Sequence, residues 1–264
     1  VVVFEDIDAI IKKYGEDKVL SYLDGENKID KVLNIATCFS PEVRFLTTDL
    51  QWIPCGELKI GDELLAFDED RPKGRGARRR YRKATILYSK KAVKECVRVI
   101  LNTGESFVCT TDHPWLSSED SQSKSFRLGW TNAKDLLKSP NLVRPFMPWK
   151  QEISWEAGWL AGILDGEGCV SKGAKSGRGT TINVAQNKGY TAEKIYKAMC
   201  SRVNLHYYER KTRKGMMVLE TKGGIATTAK LIGQVRAERL IKNFDIEGQM
   251  MHNKFPARVI KVQK

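Results

Sequence analysis

The chain has 264 residues, of which 41% are apolar and 29% charged, with a net charge of +13. That balance is ordinary for a soluble globular protein of roughly two domains. No apolar run reaches the ~18 residues of a membrane helix, and Val1 to Asp6 lacks the apolar length of a secretory signal. No membrane partner is expected, and the expected location is intracellular, in the cytoplasm of a prokaryotic or phage-infected cell. Six cysteines (38, 55, 96, 109, 169, 200) show no CxxC spacing, which speaks against a zinc ribbon or a disulfide scaffold.

In chain order, residues 1–37 predict a helical leader. Ile7, Ile10, Ile11, Tyr14, Val19, Leu20 and Leu23 recur at three- and four-residue steps. A second short helix is expected near Ile29–Ile35. From Val43 to Phe67, apolar stretches broken by Pro54, Gly56 and Gly61 predict strands and turns. Residues 71–83 hold eight cations and no carboxylate and predict a basic loop that packs no core. Strands are expected over 92–102 and 106–110, a polar surface loop over 117–127, and a proline-punctuated linker ending near Lys150.

From Ser154 the texture changes. Trp155, Trp159, Leu160, Ile163 and Leu164 predict a helix capped by Ser154. Strand-like segments follow at 168–173 and 179–187, a helix at 190–203, strands at 205–211 and 216–221, and helices at 223–234 and 236–244. The order αββαββα fits one compact unit. Phe255–Val262 reads as a lone strand that needs a partner sheet elsewhere. The fold class expected is α+β: a β-rich unit over 38–150, an αββαββα unit over 151–252, and a returning strand in 253–264. Residues 151–264 carry twenty cations against ten carboxylates, a field that favours a polyanion such as double-stranded DNA.

The segment Gly158-Trp159-Leu160-Ala161-Gly162-Ile163-Leu164-Asp165-Gly166-Glu167-Gly168 carries the most chemistry. Ala161 and Gly162 permit close approach of another helix, and Gly166 and Gly168 release the chain at the helix end. Glu167 then sits at the negative pole of the helix dipole, where a divalent cation would stabilise it. Two such helices side by side bring two carboxylates together, an arrangement suited to phosphodiester hydrolysis.

This segment, with the αββαββα order, resembles the LAGLIDADG signature of homing endonucleases. The resemblance implies a Mg²⁺-dependent nuclease in which Glu167 binds metal, with Asp165, the earlier acid, as a further candidate ligand at a position that in the family more often supports the helix end. A single motif implies a homodimer on a roughly two-fold DNA site. Gln186, in Thr181-Ile182-Asn183-Val184-Ala185-Gln186-Asn187, resembles a strand-end glutamine that holds active-site water. Lys242 resembles a basic residue near the scissile phosphate, with Arg239 as competitor. Expected DNA contacts are Lys172, Lys175, Arg178, Asn183, Arg210 and Arg213, joined by Arg78, Arg79 and Arg80 of the basic loop.

A second constellation lies in the first half: Cys38-Phe39-Ser40-Pro41, then Thr110-Thr111-Asp112-His113-Pro114. A thiol near a histidine can attack the preceding carbonyl, with Cys38 as nucleophile, His113 as proton shuttle and Thr110 polarising the amide. The ordered set resembles the Hint domain of inteins, and an endonuclease inserted in a Hint domain is the usual intein layout. Residues 1–37 are then flanking host sequence or an accessory helical piece. The family's closing His-Asn pair followed by Cys, Ser or Thr is not matched: His252-Asn253 precedes Lys254, and Lys264 is the last residue. The expectation is incomplete splicing machinery with amino-terminal cleavage at Cys38 still open. The alternative function is autoprocessing, with the second unit only binding DNA.

Overall fold

The computed structural model describes residues 38–73, 78–87, 89, 91–119, 128–171, 179–210, 214–251 and 257–264. The leader over 1–37 and the pair His252-Asn253 lie outside the described residues. The fold class is α+β.

Turn-broken apolar stretches give antiparallel hairpins. β1 (Arg44–Leu46) pairs with β2 (Trp52–Pro54), and β3 (Glu63–Phe67) with β4 (Tyr81–Thr85). Between β1 and β2, Leu50 is buried with φ of 64°, a left-handed conformation that a bulky residue holds only under tight packing. Strands β5 (Cys96–Leu101), β6 (Ser106–Thr110), β7 (Pro114–Ser118), β8 (Gly129–Asn132) and β9 (Asn141–Leu142) follow, with a 3-10 turn at Ala133–Asp135.

The chain then builds α1 (Trp155–Glu167), β10 (Gly168–Ser171), β11 (Thr181–Asn187), α2 (Tyr190–Cys200), β12 (Leu205–Glu209), β13 (Met216–Thr221), α3 (Ile225–Val235) and the short α4 (Glu238–Lys242). The four strands form an antiparallel sheet in the order β10-β11-β13-β12. Ile182, Val184 and Leu219 from that sheet pack with Leu160, Leu164, Ile195, Ile232 and Leu240 from the helices.

The final strand, β14 (Ala257–Gln263), returns to the first unit and enters the middle of its sheet. The order is β6-β5-β14-β9-β7-β8. Val259 lies opposite Leu101, and Ala257 opposite Leu142. Val97, Val99, Leu101, Leu142, Ala257 and Val259 form a second core there. The chain therefore leaves the sheet after Leu142 and re-enters beside the strand it left.

Three local expectations are corrected. The stretch 71–83 is not loop throughout: Tyr81 begins β4 and is 1% exposed, packed on Phe146 with ring centroids 5.3 Å apart. Tyr81 is the one buried residue of this basic strand. Ser117 and Ser118 are buried in β7 rather than on a surface loop; the Ser117 hydroxyl donates to Thr131 Oγ1 at 2.8 Å. The expected linker supplies β9, and its Trp149 rests on Gly233 of α3, where a Cβ would lie 2.7 Å from the indole nitrogen.

Tyr81→Ala removes the ring that joins the β4 hairpin to the main core. It is expected to cost about 3–5 kcal/mol, measured by urea unfolding. A loss below 1 kcal/mol would show that β4 is peripheral.

Candidate functional site

Helix α1 starts at Ser154, whose hydroxyl accepts from the Ala157 amide at 3.2 Å. Such a side-chain cap satisfies one of the free amides of a first turn. Ala157, Leu160 and Leu164 face the core. On the other side, Gly158, Gly162 and Gly166 stand one turn apart, and a Cβ built on any of them meets nothing within 4 Å. Trp155, 72% exposed, and the half-buried Trp159 and Ile163 flank this stripe. Lys194 of α2 lies over both indoles, at 4.9 and 4.5 Å from their centroids.

The helix ends in a tight exit. A Cβ at Gly168 would lie 2.4 Å from the Leu164 carbonyl oxygen, so only glycine fits there. Glu167, just before it, is exposed. Asp165 is engaged elsewhere: its Oδ1 accepts the backbone amides of Arg239 at 3.0 Å and Leu240 at 3.3 Å, capping α4. In return, the Arg239 guanidinium donates to the carbonyls of Leu164 at 3.1 Å, Gly168 at 2.6 Å and Asp165. The competitor to Lys242 is thus occupied by the end of α1. Lys242 closes α4 and is exposed.

Gln186 lies near the end of β11, half-buried, and its Oε1 accepts the Asn187 amide at 2.9 Å. The pair Gly168–Val184 sets the end of α1, and Glu167 with it, two residues along the ladder from Gln186. Helix α4 packs on both α1 and β10. The fold therefore gathers the elements that carry Glu167, Gln186 and Lys242.

The expected DNA contacts divide. Asn183 is half-buried and donates to Ser171 Oγ at 2.8 Å. Arg210, exposed at the end of β12, approaches the Met216 sulfur at 4.0 Å. Lys172, Lys175, Arg178 and Arg213 lie outside the described residues. Arg79 is corrected: it is 8% exposed and donates twice to the Glu69 carbonyl at 3.3 Å. Arg80 reaches the Gly248 carbonyl at 3.4 Å, and Arg78 also has an interaction partner. Sequence reasoning missed Tyr207 and Tyr208, both exposed beside a groove of about 410 Å³ that Glu220 and Lys222 also line. The run His206-Tyr207-Tyr208 lacks the alternation of a one-sided strand, and that was the available signal.

The second constellation is also assembled. The Cys38 amide donates to Thr110 Oγ1 at 3.1 Å, and the Thr110 amide donates back to the Cys38 carbonyl at 2.9 Å. The ring of Phe39 lies 4.0 Å from that of His113, centroid to centroid. His113 is buried, and its Nδ1 has no hydrogen-bond partner among the described residues. Burial pushes the imidazole down to about 4. Cys55 donates its thiol to the Ser40 carbonyl at 3.1 Å. Its pKa is raised by burial first, then by Glu42 and Cys38.

No known protein-family model matches this chain, and no curated protein matches it either.

His113 generates a pH prediction. Its native pKa lies below the ordinary 6.5, so the unfolded chain takes up the proton first. The stability is present above pH 6.5 and is lost as pH falls toward 4, by about 3 kcal/mol in total. Denaturant unfolding at pH 7, 5.5 and 4 is expected to show this loss in the parent. His113→Gln is expected to flatten the slope over that window; an unchanged slope would refute burial of a neutral imidazole.

Proposed function

We propose that the chain is a homing-type DNA endonuclease of the LAGLIDADG kind, working as a homodimer and seated within an intein-like Hint sheet. One observation carries the reading: the open glycine stripe of α1 ends, on the helix's last turn, at the exposed Glu167. Glycines one turn apart allow two helix backbones to approach closely. An apolar face with Trp155, Trp159 and Ile163 beside it gains by being covered. A second copy laid along the stripe brings the two Glu167 carboxylates together.

Within one chain the donors for a divalent cation are few. Asp165 is committed to α4, and among the described residues no three His, Cys, Asp or Glu side chains group to hold an ion. Among the described residues, Glu167 is the exposed carboxylate at the end of α1. The pair of Glu167 side chains in a dimer supplies the hard oxygen donors that Mg²⁺ takes. When bound, the cation supplies charge stabilisation to the attacked phosphate. Gln186, with both an acceptor oxygen and donor hydrogens, holds the water that attacks. Lys242 presents a fixed positive charge to the phosphate oxygens as negative charge builds up on them. The open face of the four-stranded sheet lies along the duplex, with Asn183, Arg210 and Tyr208 toward it, while Tyr207 packs beside Tyr196 of α2 on the helix side.

The reading is tested with a library of double-stranded sites and Mg²⁺. Glu167→Gln is expected to cut at least ~10²-fold more slowly while binding DNA as the parent does. Gly162→Leu is expected to sediment as a monomer and to lose cutting. Parent-like cutting by Glu167→Gln overturns the catalytic assignment.

A second reading has its own observation: the Thr110 hydroxyl sits on the amide nitrogen that an N-to-S acyl shift at Cys38 would release. β14 also runs from beside Leu101 toward Arg98, the end of β5 where Cys96 lies opposite Thr110. That approach supports a Hint-type architecture. Amino-terminal cleavage with added thiol, read on a denaturing gel, is expected to vanish in Cys38→Ala and to be indifferent to Glu167→Gln. Cleavage that survives in Cys38→Ala overturns it.

A further inference from the structure

We propose that Arg239 is a positioning residue, which rests on the nuclease reading: it fixes the separation of Glu167 and Lys242 by clasping the end of α1 to the start of α4. The clasp is reciprocal. The guanidinium takes the carbonyls of Leu164, Asp165 and Gly168, while Asp165 takes the amides of Arg239 and Leu240.

Each half solves a separate problem. The last carbonyls of a helix have no partner within it, and Gly168 satisfies only the Leu164 oxygen from within the chain. A planar guanidinium offers several donors in one fork, which suits three converging carbonyls; a lysine ammonium offers a point charge on a flexible stem. On the other side, α4 has five residues, too short to be stable in isolation. Its position is set by Leu240 and Ile241 in the core and by the Asp165 cap. Glu167 lies two residues after Asp165, and Lys242 one turn after Arg239. The clasp therefore ties the two groups together, and both of its members are engaged in hydrogen bonds to backbone groups.

The test compares the parent, Arg239→Lys and Glu167→Gln on the same DNA site. Single-turnover cutting at saturating protein is measured with Mg²⁺, DNA affinity in EDTA, and hydrogen exchange over 236–244. Arg239→Lys is expected to lose about 100-fold in rate, the scale of an ångström-sized misplacement. Its DNA affinity and melting temperature are expected to stay near the parent's, with faster exchange confined to α4. Should the lysine variant fail to fold, Arg239→Gln, which keeps two donor hydrogens on a planar amide, is expected to show the same split between rate and DNA affinity. Parent-like cutting by Arg239→Lys, with Glu167→Gln inactive, overturns the positioning role and leaves the nuclease reading standing. Parallel loss of rate, DNA affinity and melting temperature overturns it in favour of a merely structural residue. A parent that does not cut removes the nuclease reading and this inference together.

Discussion

The β-rich half is completed by a strand from the far end of the chain. β5 and β9 are not neighbours; β14 lies between them and satisfies both edges. Removing it would leave two unpaired edges in the middle of a sheet, which backbone polar groups tolerate poorly. It would also open the core formed by Val97, Val99, Leu142 and Val259. Everything between Leu142 and Ala257 must therefore leave and return at adjacent positions. Loop-closure entropy grows only slowly with loop length, so a large excursion is tolerated, provided that its own core makes it stable.

The excursion is also pinned to the first unit. Trp149 fills the space that Gly233 leaves on α3 and meets Trp52 edge-on at 5.6 Å. Arg236, left-handed at the end of α3, donates to the Asp49 carbonyl at 2.6 Å and pairs with Glu238 at 3.0 Å. The β4 backbone joins residues 247–251: the Tyr81 amide donates to Gln249 at 2.8 Å, and Arg82 pairs with Asp68 and Glu247. These contacts come from three separate stretches of the excursion, so they restrain its orientation as well as its distance.

The legible parts of this architecture were those with local signals. The limits of α1 follow from Ser154 and Gly168, and β13 from the pattern around Val218 and Leu219. Cys38 and Thr110 could be paired on paper because their residue types suit one reaction. The missed parts share a non-local cause. Tyr81 is surrounded by arginines and reads as loop; it is core only because Phe146 lies across from it. β9 is a two-residue strand whose partners, β7 and β14, are distant in sequence. Asp165 could be read from sequence as a candidate ligand or as a support of the helix end, but nothing nearby in the chain shows that α4 will present two amides to it. The roles of Arg79 and Arg239 were equally hidden, since their acceptors are backbone carbonyls, which every sequence has.

The charge pattern changes meaning once those partners are known. Residues 38–70 are acidic and 71–83 strongly basic, a contrast that reads from sequence as a surface for a polyanion. In the fold part of that charge is paired within the chain: Asp68 takes Arg82 and Asp49 takes Arg236, as elsewhere Glu105 takes Arg144 and Glu152 takes Arg202 at 2.6 Å. Arg79 and Arg239 are spent on carbonyls. Among the described residues arginine is chiefly a connector, as its planar fork favours. On the proposed nuclease reading, the contacts to phosphate fall mainly to lysines and to the sheet of the second unit, where Lys222 and Arg210 are exposed beside Tyr208. Lysine contacts to phosphate are individually weak, salt-sensitive and blind to sequence. On that reading, discrimination between DNA sites falls to the few polar and aromatic side chains on the open face of that sheet.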